Sequence, residues 1–117
     1  MKAFMGLLGL PALLWAGSVG AHTHLQHSVP SDGSVATTAP TQLQLVFNEA
    51  ATLTALSVQR TGAPAPVALA PVPRQPTTKF AIGLPPLSPG NYLVNWRALS
   101  GDHHIAHGSF RFTVQAR

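Results

Sequence analysis

The feature that most constrains the fold is a period-two alternation of apolar and polar side chains in short runs. In residues 109–114, Phe110, Phe112 and Val114 share one face of an extended chain, and the side chains between them are polar. Further alternating runs occupy residues 41–49, 55–60, 77–84 and 91–98. Because successive side chains of a strand point to opposite faces of a sheet, this pattern is typical of half-buried strands.

Proline and glycine separate these runs. The chain has 11 prolines and 10 glycines, a density that helices tolerate poorly and that loops and strand edges accept. Residues 62–76 have the weakest pattern and fit either a short edge strand or a loop. About seven short antiparallel strands with frequent turns predict an all-β fold, a β-sandwich.

Residues 1–21 have the composition of a secretory signal peptide. Lys2 supplies the positive charge, residues 4–15 form an apolar run, and Val19 and Ala21 precede an expected cleavage site. The apolar run is shorter than the roughly 20 residues of a membrane-spanning helix, although a retained anchor is the alternative. Cleavage after Ala21 would export a single mature domain, residues 22–117, to the periplasm.

Charge and cysteine content exclude other classes of function. The formal net charge is +4, and the seven Lys and Arg residues are scattered rather than clustered. Surfaces that bind nucleic acid need clustered basic residues, so we expect no nucleic-acid partner. The chain has no cysteine, and it therefore offers neither a disulfide nor a thiolate metal ligand.

The six histidines of the chain fall into two groups, with a long histidine-free stretch between them. The first group lies at the expected mature N-terminus, and the second precedes the last predicted strand. The groups are His22, His24 and His27, and His103, His104 and His107. Because imidazole is the commonest metal ligand in proteins, this clustering favours a metal site.

A His22 at the mature N-terminus would offer two nitrogen donors. Its α-amine and its ring Nδ1 together close a chelate ring on a metal ion, and a terminal amine can release its proton to a metal near neutral pH. One alternative is that His22 is only a frayed terminal residue. Another is that His24, third in the mature chain, binds Cu(II) or Ni(II) together with the backbone amides of the terminus and without the fold.

In the second group, Asp102 and His104 are two residues apart. Residues i and i+2 of an extended chain point to the same side, so this carboxylate and this imidazole can converge on one ion. His103 would then face the other way, and we expect His103 and His107 to be solvated or to support the ligands. A helical zinc-peptidase spacing of His103 and His107 is the alternative, but the segment between Gly101 and the next glycine is too short to favour a helix.

Several short motifs occur in a characteristic order. A histidine at the expected mature N-terminus is followed by Pro-x-x-Gly at residues 30–33, Phe-x-Glu at 47–49, Trp-Arg at 96–97 and Asp-x-His at 102–104. In order and spacing they resemble the CopC family of periplasmic copper-resistance proteins, which includes YobA-like proteins. The resemblance covers nearly the whole mature chain. It implies a Greek-key β-sandwich of the Ig-like or cupredoxin-like kind, a Cu(II)-binding function in copper homeostasis or resistance, and a CopD-type inner-membrane copper-transport protein as partner.

The resemblance also implies which residues hold the metal. The Cu(II) ligands would be His22, through its amine and its ring, together with Asp102 and His104. Glu49 matches an acidic position near the site and would support the ligands, with a structural role at a strand end as the alternative. His24 is a further auxiliary candidate. Three nitrogens and one carboxylate oxygen suit a tetragonal Cu(II) site.

A Cu(I) site is not expected. Some members of the family carry such a site in a methionine-rich loop, because soft thioether ligands select Cu(I). The two methionines of this chain, Met1 and Met5, both lie in the expected signal peptide. We therefore expect one Cu(II) ion and no Cu(I) site.

The remaining alternatives are different kinds of protein. A zinc hydrolase could use the same ligands with Glu49 as its base, and a copper monooxygenase would keep open the coordination position that Asp102 fills here. An Ig-like interaction module would bind no metal and would expose an apolar patch. We expect a monomer that buffers or delivers copper and catalyses no reaction, with Trp96 in the core and Arg97 paired with an acidic residue.

Overall fold

Six β-strands and no helix make up the part of the chain that the structure, a computed structural model, describes, which is residues 22–116. The predicted signal peptide lies outside the described residues. Nothing within residues 22–116 forms a helix long and apolar enough to cross a membrane. The strands are β1 Leu25–Val29, β2 Ser34–Ala36, β3 Gln42–Arg60, β4 Thr77–Gly83, β5 Gly90–Ser100 and β6 Ile105–Val114.

Strand β3 belongs to both layers of the sandwich. Its first half pairs with β1 on one side and with β4 on the other, whereas its second half, from Ala51 onward, pairs with β5. The register of β3 shifts between Val46 and Ala51 and again between Leu53 and Ala55. Such bulges bend a strand and increase its twist, which lets β3 pass from one layer to the other.

The second layer continues from β5 to β6 and then to β2. Strands β5 and β6 pair antiparallel along nearly their whole length, from Gly90 opposite Val114 to Leu99 opposite Ile105. Strand β2 pairs with the end of β6, and this pairing is parallel. The first half of β6 therefore pairs with β5 alone, and its other edge faces the N-terminal part of the chain.

The hydrophobic core lies between the two layers and follows the predicted alternation. Phe110, Phe112 and Val114 are all buried, as expected. Phe47 of the first layer packs edge to face against Trp96 of the second, with ring centroids 5.1 Å apart. The prediction that Trp96 belongs to the core is confirmed, because this side chain is only 7% exposed.

Glycine is required opposite Trp96. Gly108 is the cross-strand partner of Trp96, and a Cβ atom at Gly108 would lie 2.7 Å from Cζ2 of the indole. The indole therefore covers the backbone of β6 at Gly108. This contact fixes the backbone of β6 beside the second group of histidines.

The all-β sandwich is confirmed, with differences in its strands. Two predicted strands, at residues 41–49 and 55–60, are one continuous strand of 19 residues, β3. The reason is local, because residues 42–60 contain neither proline nor glycine to end the strand. The chain thus has six strands in its described part instead of about seven, and the β2–β6 pair is parallel. Residues 62–76 form a loop, whose amides at Val67 and Ala70 bond to the sheet.

Candidate metal centre

The segment before β1 is held against β3 by the side chain of Asn48. Its Oδ1 accepts a hydrogen bond from the backbone N–H of His24 at 2.7 Å, and its Nδ2 donates to the backbone carbonyl of His22 at 2.9 Å. The backbone N–H of Asn48 also donates to the carbonyl of His24 at 3.1 Å. These three bonds extend the β1–β3 pairing toward the N-terminus and give His22 a defined backbone position.

Glu49 makes the next contact with the same segment. Its Oε2 accepts a hydrogen bond from the hydroxyl of Thr23 at 3.0 Å, and Thr23 is buried. Glu49 therefore anchors the residue next to His22. This contact accords with the structural alternative for Glu49, and its support of a metal ligand stays a prediction.

The register of β3 brings this segment to the β5–β6 turn. Ala51, two residues after Glu49, pairs with Ser100 at the end of β5. The turn that follows Ser100 contains Asp102 and His104, so both predicted ligand groups lie at the same end of the sandwich. Sequence positions near the two ends of the chain become neighbours because β3 pairs with both regions.

Ser100 organises the β5–β6 turn. Its buried hydroxyl donates to Oδ1 of Asp102 and accepts a hydrogen bond from the backbone N–H of His104 at 3.1 Å. Its backbone N–H donates to the carbonyl of His104 at 2.9 Å. His103 has a φ of 68°, a left-handed conformation that the tight turn requires and that histidine adopts more readily than most residues.

Asp102 and His104 contact each other directly. Nδ1 of His104 lies 3.1 Å from Oδ2 of Asp102, and the side chain of His104 is 72% exposed and that of Asp102 is 52% exposed. The hydrogen bond from Ser100, with a smaller contribution from the charge of His104, holds the pKa of Asp102 below its usual value. The carboxylate is therefore ionised at neutral pH, which is the state that a metal ligand needs.

His22 and His104 line one open depression at this end of the molecule. It has a volume of about 260 Å³ and lies between the N-terminal segment and the start of β6. The structure thus brings together two of the three residues predicted as ligands, and the third, Asp102, contacts His104. The lining residues are His22, Thr23, Ser100, His104, Ile105, Ala106 and His107.

These side chains do not form a finished coordination shell. Among residues 22–116, no group of three or more His, Asp or Glu side chains has the geometry to hold a metal ion. Nδ1 of His104 instead faces the carboxylate of Asp102. The donor set nevertheless fits Cu(II) chemically, since it combines imidazole nitrogens with an ionised carboxylate. To bind a metal through Nδ1, the exposed side chain of His104 would have to turn away from Asp102.

The other histidines lie outside this depression, with one exception. His24 and His27 line a separate groove between β1 and β6, together with Asp32. His103 is exposed in the turn. His107 does line the depression, although the sequence placed it with the solvated or supporting residues.

Arg97 does not have the acidic partner that we expected. In the described part of the chain, the one close pairing of a basic with an acidic side chain is that of His104 with Asp102. Asp102 is engaged by Ser100 and His104 in the turn. Arg97 lies on the outer face of β5, opposite His107 on β6.

Two positioning residues were missed in the sequence. Asn48 lies in an alternating run and Ser100 lies just after one, and the sequence singled out neither of them. A signal existed for Ser100, because a serine beside a turn commonly bonds through its hydroxyl to neighbouring backbone groups, as it does here with the amide of His104. None existed for Asn48, whose contacts reach residues that are distant in the sequence.

The family relationship agrees with this architecture. The model of the CopC domain matches residues 25–115 of the chain. The chain is 37% identical over 111 residues to Copper resistance protein C of Escherichia coli, a match that covers 86% of each protein. It is 30% identical over 102 residues to Protein YobA of Escherichia coli strain K12, which covers 84% of this chain and 82% of that protein.

Solved structures show the same fold. The crystal structure of PcoC, described as a methionine-rich copper resistance protein from Escherichia coli, matches with a TM-score of 0.65 and 37% identity, over 81% of this chain and 100% of that chain. The crystal structure of CopC from Methylosinus trichosporium OB3b matches with a TM-score of 0.68 and 26% identity, over 80% of this chain and 94% of that chain. Sequence, motif order and fold agree, and the chain therefore belongs to the CopC domain family.

Proposed function

We propose that this protein binds one Cu(II) ion and serves copper resistance or homeostasis by buffering or delivering copper. The observation that carries the proposal is the depression lined by both His22 and His104, with Asp102 in contact with His104. The relatives named as copper resistance proteins support copper as the metal. In this proposal the protein catalyses no reaction.

The proposed ligands are His22, Asp102 and His104. In a protein that starts at His22, the terminal amine and the ring of that residue would supply two nitrogens. His104 would supply a third nitrogen, and the ionised carboxylate of Asp102 would supply an oxygen. Cu(II) has the highest affinity of the common divalent metals for such a donor set.

The content of sulfur ligands supports Cu(II) over Cu(I). PcoC is described as methionine-rich, whereas the two methionines of this chain are Met1 and Met5 and it has no cysteine. Thioether and thiolate groups are the ligands that favour Cu(I). We infer that the protein handles copper in its oxidised state.

The contacts of Asn48 argue against a copper site formed by the terminus alone. A terminus that wraps Cu(II) must give up the backbone amide protons of its second and third residues. The amide of His24 would be the third, and it donates to the side chain of Asn48 at 2.7 Å. Wrapping would break this bond, which is one of the three that hold the segment against β3.

We also propose the setting in which the protein acts. Cleavage after Ala21 would export the domain to the periplasm as a monomer. Its partner would be a CopD-type copper-transport protein of the inner membrane. This part of the proposal rests on the family resemblance and on the signal-like composition of residues 1–21.

The test is a Cu(II) titration of protein that starts at His22, in competition with a chelator of known affinity. Asp102→Ala and His104→Ala should each weaken binding by about tenfold or more, since each removes one ligand. One extra residue before His22 should weaken it further by blocking the chelate. Unchanged affinity in both variants would instead support binding by the terminus alone, and turnover of an ester or of a reductant by the metal-loaded protein would indicate an enzyme.

A further inference from the structure

His107 lies between two depressions of the molecule. One is the depression lined by His22 and His104. The other, with a volume of about 350 Å³, lies on the outer face of β5 and β6 and is lined by Asn95 and Arg97 among others. Among the described residues, His107 alone lines both depressions.

The backbone of His107 is fixed, although its side chain is exposed. It pairs with Arg97 across β5 and β6, and the next residue, Gly108, lies under the buried indole of Trp96. His103, by contrast, belongs to the turn and lines neither depression. The two histidines therefore differ in position, even though both are exposed members of the same group.

We infer that His107 is an auxiliary Cu(II) ligand that exchanges with His104, an inference that rests on the proposed Cu(II) function. In the exchange, a copper–nitrogen bond to His107 forms as the bond to His104 breaks. The freed imidazole of His104 then takes up the contact with the carboxylate of Asp102 that the structure shows. One imidazole nitrogen replaces another on the ion, so that the oxidation state of copper stays the same.

The surrounding charges make the two positions unequal. His104 has the carboxylate of Asp102 beside it, which favours a bound cation. Arg97 is the cross-strand partner of His107, and both residues line the outer depression, so a cationic residue lies near His107 and disfavours a bound cation. His107 is therefore the weaker position, suited to a metal that is about to leave toward the outer face of β5 and β6.

The test compares Cu(II) binding by His104→Asn protein with and without a second substitution. We expect His104→Asn to retain Cu(II) with an imidazole signal from His107 in pulsed EPR. Adding His107→Asn should remove that signal and lower the affinity by a further factor of about ten. Adding His103→Asn instead is the matched control, and it should change neither the signal nor the affinity.

The kinetic consequence is measured in otherwise unaltered protein. EDTA should withdraw Cu(II) several-fold more slowly from the His107→Asn variant than from wild type or from the His103→Asn variant, because the exchange step is lost. Equal rates of Cu(II) withdrawal by EDTA in the three proteins would overturn the role of His107. So would equal Cu(II) affinities and equal EPR signals when His107→Asn or His103→Asn is added to the His104→Asn protein. Wild type that fails to bind Cu(II) at all would instead overturn the proposed function, and this inference with it.

Discussion

The two groups of histidines are positioned by different means. The N-terminal group is held by contacts between residues far apart in the sequence, since Asn48 and Glu49 bind the backbone of His22 and His24 and the side chain of Thr23. The second group is arranged locally, by a turn that Ser100 organises. Long-range hydrogen bonds thus set the backbone position of the N-terminal group, whereas the local turn sets the contact between the side chains of Asp102 and His104.

The largest effect is expected from disturbing the packing of Trp96. This side chain contacts Phe47 of β3, the strand that holds the N-terminal group, and Gly108 of β6, next to the second group. Gly108→Ala places a Cβ atom against the indole of Trp96, and we expect it to destabilise the protein by about 1–3 kcal/mol through overpacking. The measurement is urea unfolding followed by tryptophan fluorescence. Gly101→Ala is the matched control, because a Cβ atom at Gly101 meets nothing within 4 Å. Equal stability of the two variants would contradict the packing assigned to Trp96.

Asn48→Ala separates the first region from the second. It removes two hydrogen bonds to the N-terminal segment, and we expect a loss of about 1–2 kcal/mol at typical hydrogen-bond values. The amide of His24 should exchange with deuterium faster, while the amide of His104, bonded to Ser100, should keep its rate. Cu(II) affinity should fall as well, because His22 loses its position. An unchanged exchange rate at His24 would show that Asn48 does not hold the segment.

Ser100→Ala acts on the second region alone and has the smallest effect. The hydrogen bond from Ser100 lowers the pKa of Asp102, so its removal should raise that pKa toward the usual value. Because the pKa of Asp102 is lower in the folded than in the unfolded protein, the ionised carboxylate stabilises the fold. This stabilisation is present above the ordinary pKa of aspartate and disappears as the pH falls through the lowered value. The variant should therefore show a weaker loss of stability on acidification. An NMR titration of the Asp102 carboxyl carbon measures the pKa, and an unshifted value would contradict the account.

The fold was largely predictable because its signals are local. Alternating side chains defined the faces of β5 and β6, and Phe110 and Trp96 are buried where the pattern placed them. The sequence predicted two strands in place of the long β3, because the alternation weakens between the two runs although no proline or glycine ends the strand there. The parallel pairing of β2 was missed because a strand of three residues has almost no pattern of its own.

The site was predictable in its residue types and less so in its geometry. Asp102 and His104 are in contact as predicted, but through a tight turn with His103 in the left-handed region and not through the extended chain that the spacing argument assumed. That His22 lies near them depends on the register that pairs Ala51 with Ser100, and no local pattern encodes that register. The position of His107 likewise depends on how β6 pairs with β5, since the sequence alone gives it the same surroundings as His103.

The most direct measurement of the central claim is the paramagnetic broadening of backbone amide signals in protein that starts at His22, with one equivalent of Cu(II) added. A single ion held by both regions should broaden the signals of residues 22–24 and of residues 102–104 together and in the same proportion. Broadening that is confined to residues 22–27, with the signals of Asp102 and His104 unchanged, would contradict a shared site.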